Sequence, residues 1–126
     1  MFGLHYYYIV ILQYKNTKHM GASKSASFSE KHNELASLFK ALSHPARIAI
    51  VEYLLSVDSC ICGDIVNELP LAQPTISQHL KELKNANIIK GSIEGTAICY
   101  CINSDTMVKI ESYFSLISKT LKSKCC

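Results

Sequence analysis

The residues of this chain best equipped for chemistry are its six cysteines. They fall as two C-x-C pairs, Cys60/Cys62 and Cys99/Cys101, and one vicinal pair, Cys125/Cys126. Thiolates are soft metal ligands and the nucleophiles of disulfide exchange, so clustered cysteines point to binding or reaction. Small secreted scaffolds spread their cysteines across loops instead. Clustering without a convincing export signal therefore predicts a reduced, cytoplasmic protein. The alternative for Cys60 and Cys62 is that they are small apolar fillers, since free cysteine is commonly buried. Cys99 and Cys101 share one face of a strand pattern, opposite Ile98, Tyr100 and Ile102, where packing against a helix is expected ahead of ligation.

Other chemistries find little support. His5, His19, His32 and His44 are too scattered to form a ligand set, and no cofactor motif, Ser/His/Asp order or paired carboxylates stand out. No enzyme and no constitutive cofactor are expected. The 126 residues, 48% hydrophobic and 18% charged, make one domain with a modest core, too apolar for a disordered chain. A net charge of +3 permits nucleic-acid binding without arguing for it. No apolar run reaches the 18 or so residues of a membrane span. The longest, Tyr6 to Leu12, lacks the basic residue before it and the small-residue cleavage site after it that a secretory signal needs. Residues 1–27 read as an N-terminal extension, with Met20 as the expected native start and residues 1–19 as an over-called segment. A short membrane-associating or strand-forming segment is the alternative.

Positioning these groups falls to a predominantly helical domain over residues 28–122, followed by a cysteine-bearing tail, residues 123–126. A first helix opens near Ser29-Glu30 and carries Leu35, Leu38, Phe39 and Leu42 at the spacing of one buried stripe. Ser43-His44-Pro45 stops it, and Pro45 suits the first turn of a second helix, to about Leu55, that buries Ile48, Val51 and Leu55. A short third helix is expected from about Cys62 to Leu69, with Ile65, Val66 and Leu69 inward. Pro74 then opens a fourth, to about Lys84, striped by Ile76, Leu80 and Leu83. Two β-rich runs, Ile88 to Ile93 and Ala97 to Ile102, flank Glu94-Gly95 and read as a hairpin. Asn103-Ser104-Asp105 caps a last helix with a stripe of Met107, Ile110, Phe114, Ile117 and Leu121, widened by Tyr113 and Leu116. The fold class is mostly α with a small β-hairpin.

The fourth helix keeps Thr75, Ser77, Gln78, His79, Lys81, Glu82 and Lys84 on its remaining face. Two helices joined by a tight turn, the second with a small-polar face, describe a helix-turn-helix. Gln, Ser, Thr and Lys are side chains that bond base edges and phosphates. A solvated amphipathic helix is the bland alternative, and the hairpin directly behind the helix tilts the balance toward DNA.

From Leu38 to Ile102 the chain resembles the ArsR/SmtB family of winged-helix repressors. The pieces that carry the resemblance are Phe39 to Arg47 (FKALSHPAR), Ser59 to Ile65 (SCICGDI), Gln73 to Leu83 (QPTISQHLKEL) and the hairpin. The resemblance implies a winged helix-turn-helix homodimer on a palindromic double-stranded operator, with the flanking helices as dimerisation helices. Carried over residue by residue, it implies DNA contacts from Gln73, Thr75, Ser77, Gln78 and Lys81, with His79 divided between DNA and packing inside the helix. Family wings often carry arginines at the tip; here the tip is Ile93-Glu94-Gly95-Thr96, and Lys90 is the residue placed for phosphate.

Cys60-Ile61-Cys62 falls where the arsenic- and cadmium-sensing branch has its C-x-C, which implies a metal site. On a regular helix, residues i and i+2 point about 200° apart. Both thiols then face one ion only if Cys60 precedes the helix or the first turn is distorted. The third cysteine that arsenic sensors place after this pair is Ile65 here, and As(III) takes three thiols, so Cys125 or Cys126 is expected to supply the third. Zinc ligands of the Asp/His type are missing from Ser104 to Lys122. The function expected is a repressor released by a thiophilic ion, arsenite or antimonite. The alternative is a redox or reactive-sulfur sensor in which Cys60 pairs with Cys62 or a tail cysteine. A thiol-based metal buffer with incidental DNA affinity is a third reading.

Overall fold

The computed structural model describes residues 24–62 and 65–124. The expectations for Met20, for most of the N-terminal extension and for Cys125 and Cys126 lie outside these residues. After a 3-10 turn at Lys24–Ser27, the elements run α1 (Glu30–Leu42), α2 (Pro45–Ser56), β1 (Ile61–Cys62), α3 (Ile65–Glu68), α4 (Gln73–Asn85), β2 (Ile89–Glu94), β3 (Ala97–Ile102) and α5 (Ser104–Lys122). Five helices and an antiparallel hairpin make the expected winged helix-turn-helix, with α3 and α4 as the helix-turn-helix and β2–β3 as the wing. Among the described residues no helix is long and apolar enough to cross a membrane.

Local chemistry sets most boundaries. The Ser29 side chain accepts from the His32 amide and opens α1. Pro45 occupies the start of α2, and the His44 ring caps it, Nδ1 accepting from the Ala46 amide at 3.1 Å. α4 ends in a Schellman motif. The Ile88 amide donates to the Leu83 carbonyl and the Asn87 amide to the Lys84 carbonyl, both at 3.0 Å, while Asn87 takes φ +58°. Asparagine tolerates that left-handed conformation better than most residues. Leu83 and Ile88, the apolar pair that accompanies the motif, are both fully buried.

The core gathers Leu38, Ala41, Ile50, Val51, Leu54, Ile65, Ile76, Leu80, Leu83, Ile88 and Ile89. The stripes expected for α1 and α4 are confirmed in Leu35, Leu38, Ile76, Leu80 and Leu83. α2 is in part a correction: Val51 is buried as expected, but Ile50 and Leu54 face inward with it, whereas Ile48 and Leu55 are exposed, at 41% and 62%. Apolar residues encircle this helix, so spacing does not fix its phase; packing against α1, α4 and β3 does. α5 divides in two. Met107 and Ile110 pack on the core, Phe39 stacks on Tyr113 and Phe114 with centroids 5.7 Å away, but Phe114, Leu116, Ile117 and Leu121 stay exposed in the single chain.

The sheet has three strands, ordered β1-β3-β2. β1 is the second correction. The C-x-C segment lies in extended backbone instead of at the mouth of a helix from Cys62, and α3 is a single turn beginning at Ile65. Pairing with β3 is the cause: Ile61 stands opposite Tyr100 and Cys62 opposite Cys99.

Candidate DNA-reading face and thiol pair

α4 presents its functional side chains because its other side is anchored. Ile76 and Leu83 are fully buried and Leu80 nearly so, which leaves Gln73, Thr75, Ser77, Gln78 and Lys81 all exposed. Gln78 donates from Nε2 to Glu82 Oε1 at 3.0 Å, one turn along, which fixes the direction of its amide on the exposed face. Lys90 is exposed on β2, the neighbouring strand of the wing. The face is a row of donors and acceptors followed by Lys81 on the helix and Lys90 on the wing, a chemistry suited to base edges and phosphates.

His79 is placed differently. It is half-buried, its ring lies 4.4 Å from that of His44, and its Nδ1 is shut off from solvent with no hydrogen-bond partner. Burial, followed by the His44 and Arg47 charges, lowers its pKa below the ordinary histidine value, against a small opposing pull from Glu82. The ring thus acts as a spacer between the start of α2 and the middle of α4.

Arg47 is a residue sequence reasoning left without a role. Its guanidinium donates from Nε to the Ala41 carbonyl and from Nη2 to the Lys40 carbonyl at 3.2 Å. It bonds the Ala41 carbonyl at the end of α1 and adds a further donor to the Lys40 carbonyl, which already accepts from the Ser43 amide and hydroxyl. An arginine two residues into a Pro-started helix, just after another helix ends, was the available signal.

The thiols meet across strands. Cys60, exposed in the approach to β1, is disulfide-bonded to Cys101 of β3, 41 residues away, with Cα atoms 4.7 Å apart. The expected oxidation partners, Cys62 or the tail, are therefore replaced by a wing cysteine. The register explains the pairing, because the Ile61–Tyr100 rung puts position 60 opposite position 101. The same register puts Lys90 opposite Cys101 on the other side of β3. Cys99 is fully buried and is itself disulfide-bonded, so the packing expected of it is not its whole role. The backbone of this segment is extended, so the helical geometry foreseen for Cys60 and Cys62 does not apply. Among the described residues no group of three or more His, Cys, Asp or Glu is placed to hold a metal ion.

Comparison with known proteins follows the same residues. The family described as "Bacterial regulatory protein, arsR family" matches residues 44–90, from the cap of α2 to Lys90 of the wing. An uncharacterized HTH-type transcriptional regulator of Methanocaldococcus jannaschii is 43% identical over 82 residues, covering 64% of this chain and 91% of that protein. The arsenical resistance operon repressor of Staphylococcus xylosus is 26% identical over 95 residues, 75% of this chain and 90% of that one. Among solved structures, an ArsR family transcriptional regulator superposes with a TM-score of 0.66 at 18% identity, covering 75% of this chain and 96% of the other.

Proposed function

The chain belongs to the ArsR family of helix-turn-helix transcriptional regulators, and from that premise we propose that it is a homodimeric repressor released from DNA by a thiophilic ion. The observation that carries the DNA half is the exposed polar face of α4 over a fully buried apolar stripe. Gln73, Thr75, Ser77 and Gln78 read the major groove, Lys81 and Lys90 hold phosphates, and His79 sets the helix's seat from behind. The exposed apolar end of α5, Phe114 to Leu121, supports a second copy packed there. Two-fold symmetry then presents two α4 helices to successive major grooves, about 34–36 Å apart.

The inducer is an ion of the arsenite or antimonite class, bound by Cys60 and Cys62, with Cys125 or Cys126 completing three thiolates. What supports this is the C-x-C in extended backbone ahead of α3 and α4 in the chain, together with the likeness to the arsenical resistance operon repressor of Staphylococcus xylosus. A second reading, release by oxidation of the same thiols, is favoured by the Cys60–Cys101 bond.

The test is anisotropy of a labelled duplex carrying the gene's own upstream region, with protein kept reduced by a phosphine. Arsenite is expected to release the reduced protein, and Cys60→Ser to abolish that release. Specific binding that ignores arsenite but yields to peroxide or persulfide transfers the function to the second reading. No specific binding refutes both.

A further inference from the structure

Cys60 and Cys101 stand outside any ligand set assigned above as a pair, yet their placement is that of two groups built to meet. They face each other on adjacent antiparallel strands, one rung beyond Ile61–Tyr100. Their Cα separation of 4.7 Å lies within the range a disulfide accepts and close to that of a non-hydrogen-bonded antiparallel pair. Cys60 is exposed and Cys101 half-buried, so one thiol can meet a solution reagent while the other waits behind it. Lys90 occupies the register position opposite Cys101 on β2, and directly opposed residues share a face of the sheet.

We propose that Cys60 and Cys101 form a reversible oxidation site whose closed state withdraws Cys60 from the inducing ion, so that the oxidised regulator stays on its operator in the ion's presence. The oxidant class is a low-molecular-weight disulfide. The Cys60 thiolate attacks one of its sulfurs, forming a mixed disulfide and releasing one small thiol. The Cys101 thiolate then attacks Cys60 Sγ, forming the cross-strand bond and releasing the second small thiol. The protein dithiol loses two electrons and two protons, and the oxidant becomes two thiols. An exposed bond of this kind is open to reductants by the same path in reverse.

Gating follows from ligand chemistry. A metal or metalloid takes thiolates, and a sulfur held in a disulfide is no longer one. Loss of even an outer-sphere partner of a metal ligand weakens affinity about 10–100-fold, and Cys60 is a direct ligand in the reading above. The oxidised protein should therefore need at least about tenfold more arsenite for half-release.

The gating half rests on the proposed function; the oxidation half does not, and the experiment separates them. First, the full chain is equilibrated in oxidised and reduced glutathione, trapped by alkylation and digested. A linked peptide joining Cys60 to Cys101, lost reversibly as the ratio turns reducing, is expected. Its absence, or persistence through every ratio, overturns the site. Second, arsenite is titrated into protein–DNA complexes of oxidised and reduced wild type and of Cys101→Ser. Oxidised wild type should hold DNA within about twofold of the reduced form yet resist arsenite at least about tenfold better, while Cys101→Ser responds after either treatment. Equal arsenite response of oxidised and reduced wild type overturns the gate, as does a reduced Cys101→Ser that no longer responds. Failure of arsenite to release reduced wild type is the failure of the proposed function instead, and leaves the first measurement to decide the site.

Discussion

Replacing Arg47 by alanine should destabilise the domain without first weakening a DNA contact. The side chain bridges the end of α1 to the start of α2 through two charge-assisted hydrogen bonds, to the carbonyls of Ala41 and Lys40. Bonds to charged groups contribute about 1.5–3 kcal/mol each when well shielded. Here one is part-buried and the other exposed, so the pair is worth about 2 kcal/mol after allowance for solvent. For a domain of this size that lowers the melting temperature by roughly 5–10 °C. Thermal unfolding followed by circular dichroism measures it, with Arg47→Lys as the control. Lysine keeps the charge and stem but loses the planar fork, and should recover less than half of the loss. A second readout comes from His79, whose pKa the Arg47 charge helps to depress, so Arg47→Ala should move it upward in an NMR titration. Melting within about 1 °C of wild type would refute the bridging role. A loss of DNA affinity at unchanged stability, with a shallower salt dependence, would make Arg47 a phosphate contact instead.

Lys81→Ala should weaken binding to specific and scrambled duplexes alike and reduce the slope of log K against log salt by about 0.9, as anisotropy over a salt series will show; a loss confined to the specific duplex would make it a base contact. Because the folded-state pKa of His79 is depressed, the unfolded chain binds more protons as pH falls through the ordinary value of 6.5. Stability is then full above that value and falls below it until the depressed pKa is passed, and His79→Gln should flatten this profile in denaturant titrations from about pH 5 to 8. Leu83→Ala removes a fully buried side chain at the Schellman turn and should cost roughly 2–5 kcal/mol in the same titrations.

Legibility in the sequence tracked how local each determinant is. α1 and α4 were readable because a polar cap or a proline marks each start and one apolar stripe fixes each phase; Leu35, Leu38, Ile76, Leu80 and Leu83 needed no knowledge of neighbours. The hairpin was readable from two β-rich runs about a short Gly-containing turn, and the register narrows that turn to Gly95-Thr96, with Gly95 at φ +64°. In α2 apolar residues on every side left Ile48 and Ile50 equivalent until α1, α4 and β3 chose between them. β1 is two residues long and exists only through a partner some 40 residues downstream, so no local pattern announces it. The exposed polar face of α4 was legible for the same reason as the stripe behind it. The Cys60–Cys101 pairing was not, since strand register decides it, and spacing within either C-x-C says nothing of register.

In the proposed regulator the joint between thiols and DNA is β3, and it makes a last prediction. This strand has β1 on one side and the wing strand β2 on the other. Cys60 leads through β1 into α3 and α4; Lys90 lies opposite Cys101 on β2. Coupling between sites requires an element with two states that both sites bias. β1 suits that part, because two rungs are a marginal attachment for a strand, whereas six rungs hold β2 to β3. The disulfide adds a covalent rung beside Ile61–Tyr100 and so should suppress opening there without touching the hairpin. Amide exchange reads this directly, since it reports local opening residue by residue. On reduction, amides at the β1–β3 rungs should exchange at least about tenfold faster, a change of about 1.4 kcal/mol in local opening, while amides between β2 and β3 stay within about twofold. Uniform acceleration across the domain would show that the bond acts on global stability. No acceleration at β1 would show that its pairing is secure without the bond, and the two-state element would have to be sought elsewhere.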